Sequence, residues 1–282
     1  MTVSRERIAG ATSLLFVPGD RPDRFGKAAS SGADVVIVDL EDAVADADKE
    51  RARRETAAAL SRGFEALVRV NAPGTPWCAA DLEMAAGYGC PVMVPKAEDP
   101  AVLRDPALRA AGRYGLVPLV ETALGVERAT ELCAAPGVVR TAFGNVDLSA
   151  QLGTAPDDHP ALAYARSRLV VAAAAAGIAP PVDGVTTAVR DFDALRADVA
   201  HARRMGFTGK LCVHPAQLVD VREGFAPSAE EVRWARTVLN AGHAGDAGDA
   251  VTAVDGHMVD RPVLRRARVI LAASRGSARR AV

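Results

Sequence analysis

The chain has 282 residues, of which 49% are hydrophobic and 24% charged. That is the balance of an ordinary folded domain, not of a disordered or fibrous chain. Its 34 Lys and Arg offset 35 Asp and Glu to a formal charge of −1, which excludes the basic footprint of a nucleic-acid binder and gives no attraction to an anionic membrane. Aromatic residues, at 4%, are too few for a base-stacking platform.

Short β-branched runs alternate with longer runs rich in Ala, Arg and Glu. The short runs span residues 13–17, 35–40, 66–70, 91–95, 116–120, 139–143, 181–185 and 210–213. Each is apolar with little alternation, as expected of strands buried on both faces of a parallel sheet. Between them, residues 43–60, 123–133, 161–176 and 192–205 read as helices; the last repeats Leu195, Val199, Ala202 and Met205 on one stripe. Eight β–α alternations predict a closed (β/α)8 TIM barrel over residues 1–226, with a doubly wound open sheet as the competing arrangement. A barrel of this kind uses about 250 residues as one domain.

Residues 227–282 read differently, as a helical extension. Ser228 and Glu231 form a capping box before a helix over 228–241. Residues 243–255, rich in Gly, Ala and Asp, read as a flexible loop. A second helix follows over 262–273, with Pro262 at its first position, and residues 275–282 are expected to fray.

The cysteines, Cys78, Cys90, Cys133 and Cys212, form no C-x-x-C pair, so buried reduced thiols of a cytoplasmic protein are expected. Residues 1–10 are polar and lack a signal-peptide core. The longest apolar stretch, residues 169–182, is shorter than the roughly 20 residues that span a bilayer.

In a barrel the βα loops converge on one face, so chemistry is sought where strands end. Here the ends carry Asp20 and Arg21, then Asp39, Glu41 and Asp42, then Arg69 and Asn71, Lys96 and Glu98, Glu121, Asn145 and Asp147, Asp183, and His214. Glu121 and Asp147 follow consecutive strands. They read as two hard oxygen ligands for Mg2+, or singly as caps of the helices that follow. Arg69 ends an apolar strand and needs an anion: either a substrate, or Asp39 or Glu41 in a structural ion pair. Asp39, Glu41 and Asp42 crowd three negative charges, which fits support around a cation; Asp42 reads equally as an exposed helix start. Arg21, Arg24 and Lys27 form a positive cluster able to hold phosphate, or a solvated basic face. No P-loop and no Gly-x-Gly-x-x-Gly occurs. His214, alone before a proline, reads as a hydrogen-bonded structural residue before it reads as a base.

The ordered set Leu15-Phe16-Val17-Pro18-Gly19-Asp20-Arg21-Pro22-Asp23-Arg24-Phe25, Val38-Asp39-Leu40-Glu41-Asp42-Ala43-Val44, Val68-Arg69-Val70-Asn71, Val94-Pro95-Lys96, Glu121-Thr122-Ala123-x-Gly125 and Gly144-Asn145-Val146-Asp147-Leu148 resembles the citrate lyase β-subunit family of the HpcH/HpaI aldolase superfamily, with the malyl-CoA and citramalyl-CoA lyases. The resemblance runs from about Ser13 to Arg268. It implies a TIM barrel that cleaves or forms a carbon–carbon bond in 3-hydroxy-3-carboxyacyl thioesters with Mg2+, or Mn2+ in its place. By the same resemblance Glu121 and Asp147 hold the metal and Arg69 contacts substrate. Phe16, Arg21 and Lys27 lie on the CoA moiety, and Asn145, Val146, Val213 and His214 line the substrate. Support of this metal pair by Asp39, Glu41 and Asp42 rests on their crowded charge and not on the resemblance. Met258-Val259-Asp260 resembles a segment whose aspartate acts as acid/base in a neighbouring subunit, so a homotrimer or homohexamer is implied. The reactions implied are a CoA-thioester lyase, a malyl-CoA thioesterase, or a citrate lyase β chain on an acyl-carrier-protein thioester. A non-catalytic binding barrel stands outside the resemblance.

Overall fold

The computed structural model describes residues 2–244, 252–254 and 257–280. The chain divides into two compact units, Met1–Gly224 and Phe225–Val282.

The first unit is a closed barrel of eight parallel strands in sequence order, β1 (Ser13–Pro18), β2 (Val35–Asp39), β3 (Leu67–Arg69), β4 (Val92–Val94), β5 (Leu116–Val120), β6 (Ala142–Phe143), β7 (Val182–Asp183) and β8 (Gly209–Cys212). Closure is made by β1 pairing with both β2 and β8, Leu14 lying opposite Val35 on one side and Leu211 on the other. The open-sheet alternative is thereby excluded. The helices of this unit are α1 (Arg5–Gly10), α2 (Phe25–Ala29), α3 (Lys49–Ser61), α4 (Cys78–Gly87), α5 (Pro106–Gly112), α6 (Ala123–Glu127), α7 (Ala129–Cys133), α8 (Asn145–Leu152), α9 (Ala163–Ala176), α10 (Phe192–Met205) and α11 (Leu218–Phe225), the last reaching its boundary.

The period of two along each strand places the site. Leu14, Val35, Ile37, Leu67, Met93, Val117, Leu119, Ala142, Val182 and Leu211 form the barrel's apolar interior, with Ile8 of α1 closing it below. Continuing the same inward alternation by two residues gives Phe16 after Leu14, Asp39 after Ile37, Arg69 after Leu67, and Glu121 after Leu119. The polar mouth is thus the next layer of the apolar core.

Below the core, the Arg140 guanidinium is fully buried and donates to the carbonyls of Ile8 (3.1 Å), Ala11 (2.6 Å), Pro180 (3.0 Å) and Pro181 (3.3 Å) and to Thr208 Oγ1 (2.9 Å). Burial lowers its pKa to about 9, so it remains a cation at neutral pH. All four cysteines are free and buried.

Several expected boundaries move. The helix expected over 43–60 begins only at Asp46–Asp48, as a 3-10 turn running into α3. The Asp39 carboxylate accepts from the backbone N–H groups of Glu41 and Ala43 and holds residues 41–43 in a turn instead. The helix expected over 123–133 is two, α6 and α7, broken at Arg128.

In the second unit, α12 (Ala229–Ala244) carries the expected capping box, Glu231 N–H donating to Ser228 Oγ (3.0 Å) and Ser228 N–H to Glu231 Oε2 (2.7 Å). Much of the loop expected over 243–255 lies outside the described residues. Where it is described, β9 (Thr252–Val254) pairs antiparallel with β10 (His257–Val259), so this part is a hairpin strand and not loop. Helix α13 (Arg261–Arg280) begins one residue before Pro262 and runs through most of the tail expected to fray. Its start is set by Asp260, whose Oδ1 accepts from Val263 N–H (3.1 Å). Ala235, Val238, Val259 and Ala267 are buried between α12 and α13, and Arg266 lies over the Trp234 ring at 5.0 Å.

Candidate active site

A cavity of about 890 Å3 opens at the C-terminal ends of the strands. Phe16, Arg21, Lys27, Asp39, Asp42, Arg69, Glu121, Asn145, Val146, Asp147, Val213 and His214 all line it. Glu41 lies behind this lining, against Arg69. Asp260 belongs to the second unit.

Arg69, at the end of β3, is buried at 8% exposure. Asp39, its register partner on β2, accepts from Arg69 Nε at 2.7 Å and from Nη2 at 2.5 Å, a two-point grip that only a guanidinium can take. Arg69 Nη1 stands 3.1 Å from Glu41 and 3.5 Å from Asp42, and the Phe16 ring lies against the guanidinium at 4.9 Å. Burial alone would lower the Arg69 pKa; the Asp39 hydrogen bonds and the surrounding carboxylates outweigh it and push it up. Of the two readings of Arg69, the ion pair is present and the side chain still faces the cavity. Asp39 orients Arg69 and the 41–43 turn; it is not aimed at the Glu121 and Asp147 carboxylates.

Glu121, at the end of β5, is 4% exposed. It does not cap the helix after it, since that role falls to Thr122, whose side chain accepts from Gly125 N–H. Glu121 Oε1 instead accepts the backbone N–H of Lys96 (2.8 Å). Burial raises the Glu121 pKa, against the pull of the Lys96 charge. Gly144 makes room for it: a Cβ at residue 144 would stand 2.5 Å from Glu121 Oε2. Asp147 lies in the first turn of α8. The residue-145 turn is tied across the mouth, Asn145 Oδ1 accepting from Val185 N–H (2.9 Å) and Nδ2 donating to the Val185 and Pro156 carbonyls.

Lys96 is the residue that sequence reasoning left without a role. Its Nζ reaches Asp147 Oδ2, Glu121 Oε1 (3.5 Å), Glu41 Oε1 (3.9 Å) and Asp42 Oδ2 (4.0 Å). The hints were its place at the end of the fourth apolar run and in the Val94-Pro95-Lys96 motif. A second unread lysine, Lys49, is buried and donates to the carbonyls of Leu40 (3.0 Å) and Glu41 (2.6 Å), pinning the acidic turn.

Burial pushes the Glu41 carboxyl up to about 8, against the pull of Arg69. Its Oε2 is buried and faces Arg69 Nη1 at 3.1 Å as an ion pair outside hydrogen-bond geometry. Among the described residues no three His, Cys, Asp or Glu side chains converge on one metal position. Glu121 and Asp147 nevertheless converge on a single cationic centre, the Lys96 ammonium. Two hard carboxylates facing one open cavity are the donor set that Mg2+ takes from a protein.

At the cavity rim, Arg21 is held by Asp23 through Nε (2.9 Å) and Nη2 (2.8 Å), while Lys27 and Arg24 line the same wall. Val146 and Val213 are exposed apolar side chains there. His214 Nδ1 accepts from Ala216 N–H (3.1 Å) in a capping box with Gln217, the structural role expected of it, on the cavity wall.

A closed eight-stranded barrel with charged groups gathered at its C-terminal mouth is the layout of TIM-barrel enzymes. Residues 12–215 match the model of the HpcH/HpaI aldolase/citrate lyase family, and the chain belongs to that family, which is of lyase type. It is 39% identical to a citrate lyase subunit beta-like protein of Mycobacterium tuberculosis over 270 residues, covering 93% of this chain and 95% of the relative. It is 36% identical to a (3S)-malyl-CoA thioesterase of Cereibacter sphaeroides, covering 88% and 89%. The crystal structure of CitE from Mycobacterium tuberculosis in complex with magnesium, acetoacetate and coenzyme A superposes with a TM-score of 0.81 at 38% identity, covering 94% of this chain and 99% of that one. No described helix is long and apolar enough to cross a membrane.

Proposed function

We propose that this protein is a Mg2+-dependent carbon–carbon lyase that cleaves a 3-hydroxy-3-carboxyacyl-CoA thioester to acetyl-CoA or a close homologue and a 2-oxo acid, or condenses them in reverse. One observation carries the reading: Arg69, Glu121 and Asp147 share one cavity with the basic residues Arg21 and Lys27 at its rim. The Mycobacterium tuberculosis neighbour, in complex with magnesium, acetoacetate and coenzyme A, supports it.

Glu121 and Asp147 would hold the cation. When bound, it supplies Lewis acidity to the oxygen atoms of the oxo-acid portion. Arg21 and Lys27 bind the CoA phosphates, Arg21 exchanging Asp23 for the ligand, and Phe16, Val146 and Val213 cover the apolar thioester arm. As the carbon–carbon bond breaks, the 3-hydroxyl gives up its proton to solvent at the cavity mouth and becomes the oxo group, the electron pair of the broken bond passes into the thioester, and the Arg69 guanidinium stabilises the enolate oxygen. Asp39 and Phe16 hold that guanidinium in place before the charge develops. Asp260 is the proposed acid/base at the enolate carbon, acting in a neighbouring subunit of a homo-oligomer.

The test is a panel of malyl-, citramalyl-, methylmalyl- and citryl-CoA with Mg2+, following acetyl- or propionyl-CoA and free CoA by chromatography. Release of the acyl-CoA with loss of turnover in Arg69→Ala and Asp147→Ala supports the lyase; turnover within about threefold of the parent in both variants overturns it, since such groups are worth on the order of 10² to 10³ in kcat. Release of free CoA without carbon–carbon cleavage supports the thioesterase reading, which the Cereibacter sphaeroides relative favours.

A further inference from the structure

Lys96 is held in two unusual ways at once. It is the only non-glycine residue at positive φ among the described residues, at +49°, a region that costs strain in a residue with a long side chain. The strained turn is fixed by its own backbone N–H donating to Glu121 Oε1. It directs the ammonium at four carboxylates: Asp147, Glu121, Glu41 and Asp42. Nothing in the lyase chemistry proposed above uses this residue.

We infer that Lys96 is a displaceable internal counter-ion that competes with the divalent cation for Glu121 and Asp147. The inference rests on the metal role proposed for those two acids. An ammonium in contact with both cannot keep its place beside a doubly charged cation, because like charges a few ångströms apart repel strongly in a partly buried site. A second berth is already built. Glu41 Oε1 and Asp42 Oδ2 stand 3.9 and 4.0 Å from Nζ, and the two acids also face Arg69 Nη1, Glu41 Oε2 at 3.1 Å and Asp42 Oδ2 at 3.5 Å. A small rotation of the lysine stem moves the ammonium from the metal pair to this acidic pair. Its side chain is 36% exposed, so no packed core resists the motion. The competition lowers the cation affinity, and cation binding relocates a positive charge beside Arg69.

The experiment measures Mn2+ binding by electron paramagnetic resonance, and Mg2+ binding by calorimetry, to the purified full chain without thioester. Lys96→Met removes the charge, and Lys96→Asn does so with a residue that accepts positive φ. Lys96→Arg retains the charge, and Glu121→Ala controls for the site. Lys96→Met or Lys96→Asn should bind either cation about tenfold or more tightly than the parent, with Lys96→Arg within about threefold of it. The cation-induced rise in melting temperature should also be larger in the neutral variants. If the parent binds a cation that Glu121→Ala loses, yet both neutral variants bind no more tightly, Lys96 is not a competitor and the inference fails by itself. If neither the parent nor the neutral variants bind a cation, the metal reading fails and takes this inference with it.

Discussion

Asp39 and Arg69 are register partners on adjacent strands, and the carboxylate of the first grips the guanidinium of the second at two points. This pair joins the scaffold to the proposed chemistry: one end is fixed by strand pairing, and the other faces the cavity.

Removing only one member leaves a buried charge without its counterpart. Asp39→Ala should therefore destabilise the protein by about 3–5 kcal/mol. The double replacement Asp39→Leu with Arg69→Met should cost less than the sum of the single changes, with a coupling of roughly 1 kcal/mol or more. Urea unfolding of the parent, Asp39→Ala, Asp39→Leu, Arg69→Met and the double variant measures both. Arg69→Lys keeps the charge but loses the two-point grip, so turnover should fall while Arg69→Lys still folds.

Gly144 lies against Glu121 with no space for a methyl group. Its φ of −98° is open to any residue, so Gly144→Ala should act sterically, the new methyl group pressing on both the Cβ and the Oε2 of Glu121 and displacing that side chain. Turnover should drop, and the overpacking should cost about 1–3 kcal/mol. Kinetics titrated with Mg2+ should show a weaker metal requirement midpoint, read beside a thermal melt that shows the fold intact.

Arg140 donates to the Ala11 and Pro180 carbonyls and to the Thr208 hydroxyl, and it shares the Ile8 and Pro181 carbonyls with the backbone N–H groups of Ala11 and Thr208. Arg140→Ala removes this donor from the buried Ala11 and Pro180 carbonyls and empties the space the guanidinium fills, and should cost about 3–5 kcal/mol or abolish soluble expression. Arg140→Lys, with one nitrogen, should recover only part of it. The urea midpoint of each variant is the measure.

His201 stacks on His159 with ring centroids 4.0 Å apart, and its Nε2 is buried without a partner. Burial and the neighbouring His159 and Arg166 lower its pKa below 6.5. The native state thus disfavours the protonated ring more than the unfolded chain does. The stabilisation is complete above about pH 6.5 and is lost as pH falls through the depressed value. Stability followed from pH 8 to 5 should decline below 6.5, and His201→Gln should flatten that decline. An equal slope in both proteins would assign it to other groups.

The barrel was legible because its strands are unbroken apolar runs such as residues 116–120, and a parallel strand buried on both faces has no other signature. The site was legible because Asp39, Arg69 and Glu121 each put a charge at the end of an apolar run, where the loops of a barrel converge. What was not legible depended on partners distant in sequence. Arg69 could be assigned an anion but not which one, and the structure gives it Asp39, Glu41 and Asp42 together. Lys96 followed a proline like many surface lysines, and no local residue announces a positive φ there. Thr252–Val254 looked like loop because its Gly and Asp neighbours mask a three-residue strand that exists only by pairing with His257–Val259. The helix over 261–280 outran its expected end because Gly276 and the arginines around it gave the pattern no apolar stripe to follow.

The plug of Arg140 and Ile8 makes the barrel a cul-de-sac. Under the proposed activity, whatever enters by the rim must leave by it, and the CoA arm bound there stands between the oxo acid and the solvent. Departure of the two halves is then sequential, the inner fragment waiting on the outer one, so an added CoA thioester should slow the escape of a bound 2-oxo acid.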